Sequence, residues 1–96
     1  MINSKQRAYL RGLANKLSPI FQVGKAGLSE ESCLQIGNAL SARELIKIHV
    51  LETCPYTPRE VADILTEELS CDAVAVIGMK VVLYRPDDEK PKIVLP

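Results

Sequence analysis

The sequence predicts an α/β domain in the order α-β-α-β-α-β-β, a small four-stranded mixed sheet with helices packed on it. Three observations lead there. Three stretches carry apolar residues at helical spacing, and they are separated by short apolar or alternating runs of strand type. Thr57-Pro58-Arg59-Glu60 packs three helix-start signals into four residues. Gly78-Met79 joins two strand-type runs by a two-residue link, so the chain ends in an antiparallel hairpin.

The first helix is expected from a Ser4 cap to about Leu17, with Leu10, Leu13, Ala14 and Leu17 as its apolar stripe. Arg7 and Arg11 lie four apart on a face away from that stripe, and Lys5 and Lys16 mark the two ends. Ser18-Pro19 stops the helix, because a residue before proline disfavours the helical region. Ile20 to Val23 reads as the first strand, interrupted by Gly24-Lys25-Ala26-Gly27. Ser29 then caps a second helix whose first turn holds Glu30 and Glu31, which suit the helix dipole. Its buried stripe is Cys33, Ile36, Gly37 and Leu40, and a glycine on that stripe implies close packing against another element.

Leu45 to Leu51 reads as the second strand, with Ile46, Ile48 and Val50 alternating with Lys47 and His49. The third helix runs from Thr57 to about Ser70, with Val61, Leu65 and Leu69 inward. Ala73 to Ile77 and Lys80 to Arg85 form the hairpin, where Gly first in the link suits a type II′ turn. Strands separated by helices imply parallel crossovers, so the hairpin adds the antiparallel part. The domain is expected over residues 1–86. The tail, 87–96, is polar and proline-punctuated; its apolar cluster Ile93-Val94-Leu95 leaves open whether it is loosely ordered or docked.

Ninety-six residues make one domain with one core and little more. That size excludes a multi-domain enzyme or a full dinucleotide-binding domain. The formal net charge is zero, but the charges are segregated. Residues 1–29 hold five bases (Lys5, Arg7, Arg11, Lys16, Lys25) and no acid. Residues 30–96 hold all twelve acids and the other seven bases, a net of −5 against +5. Such asymmetry points to a surface that faces a polyanion. No apolar signal region follows Met1, and the longest apolar run falls far short of the roughly 20 residues a membrane helix needs. The expected location is the cytoplasm.

No catalytic, metal or cofactor signature emerges. Cys33, Cys54 and Cys71 are widely spaced and odd in number, which suits free thiols rather than a disulfide framework or zinc site. His49, the sole histidine, reads as a surface residue of the second strand. The sharpest motif is the loop Gly24-Lys25-Ala26-Gly27. Two glycines let backbone approach a ligand without a Cβ in the way, N–H groups of a following helix start attract phosphate, and Lys25 adds a full charge. This is the chemistry by which Gly-x-x-Gly loops clamp nucleic-acid backbone. A nucleotide-triphosphate loop is excluded, because Lys25 sits between the glycines rather than after the second. Alone, the loop is a weak signal and reads first as a strand-to-helix turn. Its closeness to a basic helix with no acid in its segment is what gives it weight.

Several blocks together, Ser4-Lys5-Gln6-Arg7 to Leu10-Arg11, Ile20 to Leu28 across the glycine loop, Glu44-Leu45-Ile46-Lys47, and Val76-Ile77-Gly78 to Leu83-Tyr84-Arg85-Pro86, resemble the YhbY family. These are single-domain bacterial proteins of the CRM type, named for chloroplast RNA splicing and ribosome maturation. The resemblance covers about residues 3–86. It implies a non-catalytic RNA-binding domain associated with large-subunit precursors of the ribosome, and a fold like the C-terminal domain of a bacterial initiation factor. It places the RNA-backbone clamp on Gly24, Lys25, Ala26 and Gly27, and the basic first helix on Lys5, Arg7 and Arg11. Lys16 extends that helix surface, and Lys47 and Lys80 are second-tier phosphate contacts. The position after Gly78, often basic in the family, is Met79 here. Four scattered aromatics (Tyr9, Phe21, Tyr56, Tyr84) argue against multi-base stacking on a sheet. The alternative is a protein-interaction adaptor, in which Glu60, Asp63, Glu67 and Glu68 of the third helix dock a basic ribosomal or assembly protein.

Overall fold

A reciprocal capping box opens the first helix, α1 (Ser4–Ala14). The Asn3 side chain accepts from the Gln6 N–H at 2.8 Å, and the Gln6 side chain accepts from the Asn3 N–H at 3.1 Å. The cap is therefore Asn3, one residue before the expected Ser4. Asn3 has a glutamine three residues on to complete the box, whereas Ser4 has Arg7 there. The helix also ends earlier than Leu17. Lys16 and Leu17 donate to the carbonyls of Leu13 and Ala14, so the last turn tightens to an i→i−3 pattern. That tightening takes Leu17 off the apolar stripe, and it is 37% exposed. The computed structural model describes residues 2–96.

The remaining elements are β1 (Phe21–Val23), α2 (Glu30–Arg43), β2 (Leu45–Val50), α3 (Pro58–Leu69), β3 (Asp72–Ile77) and β4 (Lys80–Tyr84). Ser29 caps α2 as expected, its hydroxyl accepting from the Ser32 N–H at 3.0 Å. Thr57 and Glu60 close a capping box on α3 with Pro58 in the first turn. Gly37 lies where α2 meets α3: a Cβ there would sit 3.3 Å from Leu69 Cδ2. Gly78 has φ +59° and Met79 does not have positive φ, as the type II′ hairpin requires.

The sheet order is β1-β2-β4-β3. β1 runs parallel to β2, and β4 runs antiparallel to both of its neighbours. Hence β2 and β3 are parallel to each other, and the hairpin inserts β4 between them. Alternation then sorts the side chains onto two faces. Ile46, Ile48 and Val50 of β2 join Val81 and Leu83 of β4 under α2 and α3, with Ile36, Leu40, Val61 and Leu65 closing that core. Leu45, Val82 and Tyr84 lie on the opposite face with Val74, under Leu10 and Ala14 of α1.

The tail completes the second core. Ile93 and Leu95 pack against it, while Val94 points outward. Their anchor is Glu44, which is 0% exposed and has φ +66° at the end of α2. Its carboxylate accepts backbone N–H groups of Asp87 (2.6 Å), Lys92 (2.7 Å) and Ile93 (2.9 Å). Burial alone would raise the carboxyl pKa, but the three donors outweigh it and hold it below the ordinary glutamate value. Lys92 Nζ also donates to the Ala42 carbonyl. Arg85 staples the other side: its guanidinium donates to Leu69 O, Gly37 O and Ser41 Oγ at 2.7 to 2.9 Å, tying α2 to α3.

Candidate nucleic-acid interface

The glycine loop is a tight turn at the end of β1. The Gly27 N–H donates to Gly24 O at 2.9 Å, leaving Lys25 and Ala26 as an exposed tip. Gly27 has φ +69°, a conformation that favours glycine. Both glycines also lie against the segment after β2. A Cβ on Gly24 would meet Leu51 at 3.3 Å, and one on Gly27 would meet Pro55 at 3.3 Å and Tyr56 at 3.4 Å. The turn is thus buttressed from behind and presents Lys25 forward. Leu28 and Ser29 separate it from α2, whose first turn carries Glu30 and Glu31. Those carboxylates compensate the positive helix end, so the local attraction for an anion falls on Lys25 and the turn backbone rather than on the helix dipole.

The basic residues of α1 divide into two groups. At 100° per residue, Arg7 and Arg11 share one flank, while Lys5 and Tyr9 share another roughly 200° away from Arg7. Lys5, Arg7, Arg11 and Lys16 are all exposed. Arg7 is partly engaged, because its Nη1 donates to Ala73 O on β3 at 3.0 Å. Lys16 lies past the helix end, in the turn that leads to Ile20, whose N–H donates to Lys47 O at 3.0 Å. Arg7 with Arg11, Lys5, and Lys16 therefore occupy three places and do not form one stripe. Arg7 and Arg11 face the β3 side, and Lys16 stands where the chain enters β1.

Between α1 and the loop lies sheet that α1 does not cover. The strand register sets the row Gln22–His49–Lys80–Ile77 across all four strands on one face. The row below it contains Ile20, Lys47 and Val82. Gln22, Lys80, Ile20 and Ile77 are exposed; Lys47 and His49 are half-buried. Gly24 begins two residues after Gln22, and Val50 donates to Met79 O at 2.7 Å, so the loop and the hairpin turn flank the same sheet end. Lys47 and Lys80 thus share this face, Lys16 lies in the segment that leads to Ile20 at its β1 edge, and Lys25 lies in the loop that follows β1. Lys5 stands apart from them at the start of α1. Lys47 and His49 were legible from alternation, but the alignment of Gln22 with them depends on strand register and was not.

Burial pushes the Cys71 thiol up to about 11 and raises that of Cys33, which Glu68 raises further, so both stay protonated and poorly nucleophilic. Among the described residues, no group of three His, Cys, Asp or Glu side chains converges on a metal-sized site.

The chain resembles known proteins over its full length. It is 43% identical over 96 residues to "Probable RNA-binding protein YqeI" of Bacillus subtilis, covering 100% of both chains. It is 38% identical over 95 residues to a Haemophilus influenzae protein named "RNA-binding protein", covering 99% of this chain and 95% of that one. The solution structure of SAV1595 from Staphylococcus aureus superimposes with a TM-score of 0.84 at 44% identity, over 100% of both chains. The model of the CRS1/YhbY (CRM) domain matches residues 2–85. A match across almost the whole chain, with the α/β architecture and four-stranded mixed sheet just described, means that this protein belongs to the CRS1/YhbY (CRM) domain family.

Proposed function

We propose that this is a non-catalytic RNA-binding protein that works in the cytoplasm on precursors of the large ribosomal subunit. The observation that carries the reading is the buttressed Gly24-Lys25-Ala26-Gly27 turn beside an uncovered, lysine-lined stretch of sheet. Its relatives' names add support, since two of them are named for RNA binding. In this reading the turn backbone and Lys25 clamp phosphate, Lys16, Lys47 and Lys80 neutralise neighbouring phosphates, and Arg11 adds a fifth contact from the β3-facing flank of α1. Lys5 and Arg7 contribute from the far end of α1. Backbone contacts position RNA without reading its sequence. Five such contacts to single-stranded RNA give a slope of log affinity against log salt of about −3.5.

The double variant Lys25→Glu with Arg11→Glu is expected to lose RNA binding while its melting temperature stays close to that of the parent. Retained binding in a folded double variant overturns the assignment of this surface. Crosslinking in cells with sequencing of the bound RNA tests the finer claim: enrichment of large-subunit precursor rRNA supports it, and a spread over messenger RNA refutes it. A protein partner is a second reading. A groove of about 420 Å³ between α2 and α3, with Glu30 and Glu68 on its rim and the 64%-exposed Leu34 in its wall, favours a basic ribosomal protein there. Partners that survive nuclease treatment in a pull-down support this second role.

A further inference from the structure

Resting on the RNA-binding reading, we propose that the uncovered sheet face between α1 and the glycine loop is a seat for unpaired bases of single-stranded RNA, with His49 and Gln22 at its centre. The face has the chemistry such a seat needs. Its middle holds hydrogen-bonding side chains, Gln22 and His49, paired side by side across β1 and β2. Gln22 offers both a donor and an acceptor to a base edge, and the flat imidazole of His49 offers a stacking surface. Its borders are apolar: Ile20, 37% exposed, lies on the β1 side, and Ile77, 53% exposed, lies on the β3 side. Lys80 stands next to His49 in the same row, and Lys47 lies two residues below.

The reason this face is open is architectural. α1 covers Leu45, Val82, Tyr84 and Val74, which occupy one end of the sheet. None of Gln22, His49, Lys80 or Ile77 belongs to that core. Two of the large apolar side chains left exposed by the fold therefore border a polar row, instead of being scattered. The row is also continuous with the clamp, because Gly24 follows Gln22 by two residues, roughly 7 Å of extended chain. A strand whose backbone is held at Lys25 is placed to lay its bases across the sheet. A duplex cannot use the seat, since its bases are stacked and paired, and an A-form helix offers only its backbone and shallow groove.

Two classes of contact then predict two different signatures. Base contacts change preference among RNAs with little effect on the salt slope, whereas phosphate contacts lower all affinities and reduce the slope. The test measures binding of a 12-nucleotide single strand and of the matching blunt duplex over a salt series. It uses the parent, the Gln22→Ala/His49→Ala variant and Lys25→Glu. The parent is expected to prefer the single strand. The Gln22→Ala/His49→Ala variant is expected to lose about ten-fold in single-strand affinity, the scale of one stacked base, with its duplex affinity and salt slope unchanged. Lys25→Glu is expected to weaken both RNAs and flatten the slope. If the Gln22→Ala/His49→Ala variant binds both RNAs like the parent while Lys25→Glu weakens both, the base seat is wrong and the RNA reading stands. If the parent binds neither RNA, the RNA reading itself falls. A parent that self-associates, and a double variant that is monomeric, would make this face an interface between copies of the chain and overturn the seat.

Discussion

The two faces of the sheet are built from the same four strands and covered differently. Under α2 and α3, every inward residue of β2 is closed over, and Ile48, Val50 and Val81 have no exposed surface. Under α1 and the tail, one end is sealed by Leu10, Val82 and Tyr84, while the other end keeps Gln22, Lys80 and Ile77 in contact with water. The difference teaches where each job resides. A domain of this size has little apolar surface to bury, so the covered face carries most of the stability. The half-covered face can then carry groups that a core excludes: lysines, a histidine, and a turn whose tip is exposed.

Neighbouring residues on β2 offer the largest contrast. Ile48→Ala empties a fully buried position under α2 and α3, and it is expected to cost about 2–5 kcal/mol. His49→Ala, one residue along and on the other face, is expected to cost less than about 1 kcal/mol, like other substitutions outside the core. Urea denaturation of the two variants checks this. Equal losses would dissolve the distinction between the faces and would mean that the half-covered side bears a full share of the stability.

The same contrast explains what the sequence could and could not disclose. The covered face is written in periodicity: Ile46, Ile48 and Val50, the Ile36 and Leu40 stripe, and Val61 with Leu65 are recognisable because burial imposes spacing. Helix starts at Ser29 and Thr57 were equally plain, since capping is local chemistry. The α1 cap moved by one residue because Asn3 and Ser4 are both competent, and the glutamine at position 6 decides between them. Features set by distant parts of the chain stayed hidden. The insertion of β4 between β2 and β3 needs long-range pairing, and the Gln22–His49–Lys80 row follows from it. Nothing in the local sequence marks Glu44 as a buried anchor, because its three partners lie more than forty residues away.

Glu44 supplies an intermediate effect, and one that separates the tail from both faces. Glu44→Gln keeps the size but turns one of the acceptor oxygens into a donor that faces backbone N–H groups. The expected cost is about 1–3 kcal/mol, the penalty for buried donors left without an acceptor. The folded carboxyl sits below the ordinary value of 4.5, so its contribution is complete above that value and is lost as pH falls through the folded pKa. The gap between parent and Glu44→Gln is therefore constant above about pH 5 and narrows in more acidic solution. Urea midpoints from pH 7 to 3 measure it, and faster tryptic cleavage after Lys92 in the variant reports release of the tail. A gap that widens in acid would mean that the carboxyl is protonated in the fold.

The smallest effects come from two glycines that sort the backbone by role. Gly12 lies in α1 with open space where a Cβ would stand, nothing coming within 4 Å, so Gly12→Ala removes only the entropy cost of a helical glycine. It is expected to stabilise by about 0.5–1 kcal/mol and to leave RNA affinity unchanged. Gly27→Ala places a Cβ on a backbone of positive φ and brings it to 3.3 Å from Pro55 and 3.4 Å from Tyr56, so the turn is strained. The expected loss is about 1–2 kcal/mol, accompanied by weaker RNA binding, because the strained backbone is the one that sets Lys25. Melting curves and binding isotherms on the same samples read both quantities. Gly27→Ala is the sharper of the two tests. The turn belongs to the open face by its tip and to the covered face by its packing, through Leu28 and the segment after β2. If stability and binding fall together, the clamp is held in shape by the core behind it. If stability falls while binding persists, the charge of Lys25 suffices and the shape of the turn does not matter.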